Sequence, residues 1–276
     1  MLAGVKSIAQ ETFIVNIQER PSSQGLQPAF EVEIPQATSP DAVRILERML
    51  APRRLFSKNQ KFVQEGDEWI MRNADLKKIS SSPLTVIAQV SSFPEKIFAR
   101  IFFSDDQGFL GSSESMSAKT EDAKRFVRDY ALDVYRDAVE KELRNEQNIL
   151  ASLEQYLRKM GRQQGSKERK INYLKSDNLE MRNEIRNYEM RLQRKDSFSA
   201  TGESARIVLD QHEQDSKQLQ KDISTNLRKI NRNERRISKF ERQASSSVRE
   251  QRDILDQIDR QKIVVNQVET KLRNIR

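Results

Sequence analysis

Between residues 11 and about 112, apolar and polar positions alternate with period two. Phe13, Val15 and Ile17 form one such run, and Phe30, Val32 and Ile34 alternate with Glu31 and Glu33, the pattern of half-buried strands. Pro21 to Gly25 lies between them with turn chemistry, so the two runs predict a hairpin. Ser39, Pro40 and Asp41 then supply an N-cap, a first-turn proline and an acid, and Val43, Leu46 and Leu50 mark a short helix that stops before Pro52. A second hairpin is expected where Lys61-Phe62-Val63 and Trp69-Ile70-Met71 flank Gln64 to Glu68. Leu84–Val90 and Ile97–Phe103 are the most apolar strands, and Asp105 to Gly108 turns the chain into Phe109-Leu110. The order is strand, strand, helix, about four strands, then helix. It predicts a small antiparallel-sheet, two-layer α+β domain over 11–118, one sheet face covered by the short helix and by the start of a longer one.

Beyond residue 118 the period changes. Thr120, followed by Glu121 and Asp122, predicts a helix start. Leu150, Leu153, Leu157, Met160, Gln164, Lys167, Ile171, Leu174, Asn178, Met181, Ile185, Tyr188 and Leu192 keep strict 3,4 spacing. The same spacing runs from Leu209 to Ile275, with polar residues at His212, Ser216, Asn226, Asn233, Ser247, Gln251 and Gln261. Between the two runs, 196–205 is rich in Ser, Thr and Gly and breaks the heptad, which reads as a turn. Residues 119–276 are therefore expected to form a long antiparallel α-helical coiled-coil hairpin with arms 119–195 and 206–276, each about 110 Å long. Nearly equal arms would return the C-terminus to the β-domain. Two other arrangements fit the pattern: a first arm bent at Gly161 and Gly165, giving three helices, or arms that pair between chains.

Composition supports that division. All seven prolines and the one tryptophan, Trp69, precede residue 95, so nothing interrupts a helix on proline grounds beyond it. Residues 1–118 hold 13 basic and 14 acidic residues, whereas 119–276 hold 36 and 27, so the net charge of +8 arises in the C-terminal part. With no cysteine and one histidine there is no disulfide framework, thiolate nucleophile or multi-histidine metal site. No apolar run approaches the roughly 18 residues of a membrane span. Residues 1–10 end in small residues and read equally as the remnant of an export signal or as an ordinary terminus, which leaves exported and cytoplasmic locations open.

Motifs for catalysis fail on their spacing. Gly161 to Lys167 is similar to a phosphate loop but has three residues between its glycines, Ser before Lys, and no strand ahead of it. His212 falls on the heptad seam, and the acids around Glu65–Glu68 and Asp105-Asp106 are turn residues without calcium-loop spacing. No catalytic, cofactor or metal-binding residue is assigned.

One feature exceeds what packing requires. Arg158, Lys159, Arg162, Lys167, Arg169 and Lys170 form one basic stretch. Arg228, Lys229, Arg232, Arg235, Arg236 and Lys239, followed by Arg242, form another. Reflecting the chain about residue 199 sets these stretches against each other and places Gln164 opposite Glu234 and Gly161 opposite Ile237 and Phe240. Like charges would then repel across the hairpin, and an anionic partner would relieve them. Gly161 and Gly165 are the expected hinge. The sequence thus predicts a non-enzymatic interaction protein, its β-domain docking to a protein partner and its coiled coil acting as a spacer or as a homo-oligomer contact. The alternative is a polyanion-binding protein, for nucleic acid or an acidic envelope polymer, using the basic belt. Apart from Phe240 and Tyr173 the belt lacks interleaved aromatics, so contact with nucleic acid would be phosphate-directed.

Overall fold

The computed structural model describes residues 13–50, 62–111, 117–196 and 204–275. The elements are β1 (Asn16–Ser22), β2 (Gly25–Pro35), α1 (Ser39–Leu50), β3 (Val63–Glu65), β4 (Glu68–Ala74), β5 (Leu84–Phe93), β6 (Lys96–Asp105), β7 (Gly108–Phe109), α2 (Ser117–Asp196) and α3 (Ser204–Asn274). This is an α+β fold in which an antiparallel sheet is followed by two long helices. Residues 1–10 and the centre of the turn at 196–205 lie outside the described residues, and with them the reading of a signal remnant. The chain divides into two compact units, Met1–Asn148 with Lys262–Arg276, and Ile149–Gln261. The composition change near 118 coincides with the start of α2, while the unit boundary lies further along that helix.

In the first unit the strand order is β1-β2-β6-β5-β4-β3, with β7 added to β6. The three predicted tight turns occur where Ser22 pairs with Gly25, Glu65 with Glu68 and Asp105 with Gly108. Gly66 occupies the second of these turns at φ 62, a backbone conformation that glycine adopts without steric cost. Strand β1 starts at Asn16, later than the alternation suggested. Phe13 precedes it as a buried plug, with its ring edge-on to Tyr135 at 5.8 Å.

The main core lies on the helix-covered face of the sheet. Phe30, Val32 and Ile34 of β2, Val86 of β5, and Ile97, Ile101 and Phe103 of β6 pack with Ile45, Leu46 and Leu50 of α1 and Val127, Tyr130 and Val134 of α2. The buried stripe of α1 is Ala42, Ile45, Leu46 and Leu50, with Val43 on its flank. The Thr38 carbonyl accepts the first helical bond, from Ala42 N–H, and the Thr38 hydroxyl donates to Asp41, so the cap is one residue earlier than expected. Helix α2 begins at Ser117, which places Thr120 inside it.

The opposite sheet face has a core that the alternation did not reveal. Strand β2 pairs with β6 only from Phe30 to Pro35, and β7 takes up the β6 edge at Ser104 and Asp105. The freed end of the β1–β2 hairpin curls over the sheet, where Gln89 Nε2 donates to the Pro21 carbonyl at 2.9 Å and Ser23 N–H donates to Glu68 Oε1 at 3.0 Å. Beneath it Ala29, Ile70, Ile87 and Phe102 are buried. Gly111 passes so close that a Cβ there would meet Pro28 Cβ at 3.3 Å, in addition to the strain of φ 94.

Charged contacts fasten the helices of this unit. Arg44 and Lys141 both bridge Asp41 and Asp137. Burial pushes both carboxyls up, but hydrogen bonds from Lys141 and Arg44, joined at Asp41 by one from Thr38, outweigh it and hold both below the usual range. Near the end of α3, Val268 enters the main core. Lys271 Nζ meets Glu142 Oε2 at 2.9 Å and Gln36 Oε1, over the Tyr135 ring.

In the second unit α2 and α3 run antiparallel, as their successive contacts show: Gln164 with Gln251, Lys175 with Glu241, and Arg182 with Glu234. Every described heptad position named from the sequence is buried or half-buried. Apolar clusters alternate with polar layers. Met160, Ile254 and Ile258 form one cluster, Ile171, Leu174 and Ile237 a second, and Met181, Ile185 and Ile230 a third. Gln164 and Gln251 lie between the first two, and buried Asn233 donates to Asn178 Oδ1 (2.9 Å) and Asp177 Oδ2 (2.7 Å) between the last two.

Candidate anion-binding surface

The hairpin register differs from the reflection about residue 199, and the expected juxtaposition changes with it. Gln164 meets Gln251 instead of Glu234, while Ile237 packs with Ile171 and Leu174 instead of facing Gly161. Equal arm lengths do not set the register; the polar layers and cross-helix pairs do, because a shift would leave Asn178 and Asn233 buried without partners. The stretch 158–170 is therefore level with α3 near Gln251, and 228–242 is level with α2 near Lys175 and Arg182. The two basic stretches follow one another along the hairpin instead of facing. Repulsion between them is consequently not what exposes them to an anion.

Their side chains are nonetheless available. Arg158, Lys159, Arg162, Arg169, Lys170, Arg228, Lys229, Arg232, Arg235, Arg236 and Lys239 are exposed, and Lys167 is half-buried on the seam. Lys170 Nζ lies 5.9 Å from the Phe240 ring centre. The other eleven make no ion pair among the described residues. The acids of the same region are engaged: Glu241 by Lys175 at 3.0 Å, Glu234 by Arg182 at 2.8 Å, and Glu184 by Asn226 at 2.9 Å. Tyr156 donates to Glu250 at 2.7 Å, and that bond raises the Tyr156 phenol above its ordinary range. Acids thus sit on the flanks of the seam, and bases point outward.

The α3 stretch belongs to a longer row. Lys221, Thr225, Arg228, Arg232, Arg235, Lys239, Arg242, Ser246 and Arg249 succeed one another with alternating spacings of four and three, all exposed. Seven of the nine are basic and none is acidic, so the row presents one sign of charge on the side of α3 turned away from α2. Lys221 and Arg249 lie outside the basic stretch named from the sequence. The heptad phase that located the seam also locates them, since this row occupies the positions farthest from it.

Helix α2 continues unbroken through Gly161 and Gly165, so the three-helix alternative is not adopted; a Cβ on either glycine would meet no atom within 4 Å. His212 is half-buried on the seam. Among the described residues there is no cluster of three metal-ligating side chains, and no helix is long and apolar enough to cross a membrane. No protein-family model matches the chain, and a search of curated proteins finds no match.

Proposed function

We propose that this is a non-enzymatic interaction protein whose helical hairpin binds polyanions, with the α+β unit as a docking module for a protein partner. The observation that carries the reading is the segregation of charge. The second unit holds 25 basic and 18 acidic residues, a net +7, against 24 and 23 in the first. A surface serving only solubility mixes both signs; on α3 between Lys221 and Arg249, Glu234 and Glu241 are spent on cross-helix contacts and the outward row of bases makes no ion pair among the described residues. Binding would be phosphate- or carboxylate-directed and strongly salt-dependent, because the row carries no aromatic side chain for stacking. On the docking module, Phe93 at the β5–β6 turn is 52% exposed and packs edge-on to Phe98 at 5.3 Å, an apolar contact point of the kind protein partners use. The test is heparin retention of the intact protein. Retention at about 50 mM salt with release at several-fold higher salt supports the reading, and absence of retention at about 50 mM overturns it.

A further inference from the structure

We infer that the outer side of α3 is a track for one extended, phosphate-linked chain, and that the α2 basic stretch is not part of it. This rests on the polyanion reading above and narrows it to one helix face and one ligand geometry.

Asn231, Arg235, Ser238, Arg242, Ser245 and Arg249 alternate a small hydrogen-bonding residue with a guanidinium at spacings of four and three, all exposed. Two adjoining grooves, of about 470 and 510 Å³, follow this line and share Ser238 and Arg242. Glu234 and Glu241 also line them, but those carboxylates are engaged by Arg182 and Lys175. The guanidiniums therefore form the unneutralised charge of the grooves. Arg228 continues this line one step earlier, and on the adjacent line Arg232 and Lys239 add further positive charge.

The geometry selects among anions. Successive positions of the basic row rise about 5 Å along the helix, and the row from Lys221 to Arg249 extends about 42 Å. A straight, single row of this kind suits a chain laid parallel to the helix. Phosphates of a duplex wind around their axis and would meet only part of it. An anionic bilayer is ordinarily met by bases together with apolar or aromatic residues, and the row has neither. Arginine supplies paired donors to phosphate oxygens, and the Asn231 amide or Ser238 hydroxyl supplies one more, the Ser245 hydroxyl being turned to the Glu241 carbonyl. α2 has no counterpart: its bases at 158–170 are scattered over several sides of the helix, and Lys167 is on the seam.

The experiment uses the full chain and a fluorescein-labelled oligodeoxythymidylate of about 30 nucleotides, with inorganic polyphosphate as competitor, at about 50 mM salt. Arg235→Gln/Arg242→Gln/Arg249→Gln should weaken binding on the order of tenfold or more and lower the salt slope by about 2. The charge-matched Arg158→Gln/Arg162→Gln/Arg169→Gln variant should stay within about threefold of the parent. Circular dichroism checks that both variants keep their helices, as substitutions at exposed positions should. Displacement by polyphosphate supports recognition of the phosphate chain, and failure to displace overturns it. Equal losses in the two variants overturn the track while sparing the polyanion reading. Tighter binding to a duplex per phosphate, or binding to phosphatidylserine vesicles but to neither polymer, overturns the inferred ligand. Lack of binding to heparin and to both polymers overturns the two readings together.

Discussion

The two units bury apolar surface by different means. In the first, large side chains such as Phe30, Phe102, Phe103 and Tyr130 are wholly inaccessible, held between sheet and helices or under a curled hairpin. In the second, no seam residue among the described residues is wholly buried; Leu174, at 3%, is the least exposed of them, and Asn178, Asn226, Asn233 and Ser247 share the seam with the apolar residues. Volume specifies the first unit, so its fold depends on how well large groups fit. Pairing specifies the second: a two-helix seam tolerates many apolar choices, and only its polar layers and cross-helix bonds distinguish one register from another.

The largest expected effect lies in the volume-specified unit. Phe103 stacks edge-on with Phe30 at 5.4 Å and Phe126 at 5.9 Å, so Phe103→Ala should cost about 3 to 5 kcal/mol there. Trp69, the one tryptophan, lies in that unit, and its fluorescence transition should fall while most of the helical ellipticity persists. A simultaneous loss of both signals would show that the units do not differ in the way described. Register is the next test, and a cysteine-free chain makes it clean. A short bifunctional thiol cross-linker should join Arg182→Cys to Glu234→Cys in high yield, and should leave Gln164→Cys with Glu234→Cys unjoined. The reverse pattern would restore the symmetric hairpin. Gly161→Ala and Gly165→Ala should each stabilise the second unit by about 1 kcal/mol, read as a higher melting temperature by circular dichroism, because both lie in continuous helix with open space at Cβ. The smallest effect concerns pH. Asp41 and Asp137 are lowered in the folded state, so their contribution is present above the unfolded carboxyl pKa of about 3.9 and is lost as pH falls through the lower folded values. It should amount to about 1 kcal/mol or less, given partial exposure, and Asp41→Asn/Asp137→Asn should remove that acid slope from the Trp69 transition.

Much of the architecture was legible because local periodicity records which side of an element is covered. The alternation at Phe30, Val32 and Ile34, and the 3,4 spacing from Leu150 to Leu192, identified inward positions without any knowledge of the partner surface. What periodicity does not carry is the identity of the residue opposite. Gln251 rather than Glu234 faces Gln164 because of a few polar contacts far apart in sequence. The second core was hidden for a similar reason. Phe102 and Ile87 look like the outward positions of strands, and only the departure of β2 from β6 brings the hairpin over them. Glu68, 6% exposed, read as a turn acid; the same hairpin converts it into a buried acceptor for Ser23 and Gln89. For the candidate surface, the bases were readable as composition, whereas their unpaired state depended on where Glu234 and Glu241 went.

The chain leaves the first unit along α2 and re-enters it with Val268, Lys271 and Leu272, so the second unit is an insertion with both ends moored in the same core. Such an insert can change length only by matched edits. Removing seven residues from one helix alone would keep its phase but pull its mooring about 10 Å out of register, whereas deleting a heptad from each would keep the seam and leave the α+β unit undisturbed. Related chains with longer or shorter hairpins should therefore differ in sevens, taken in pairs.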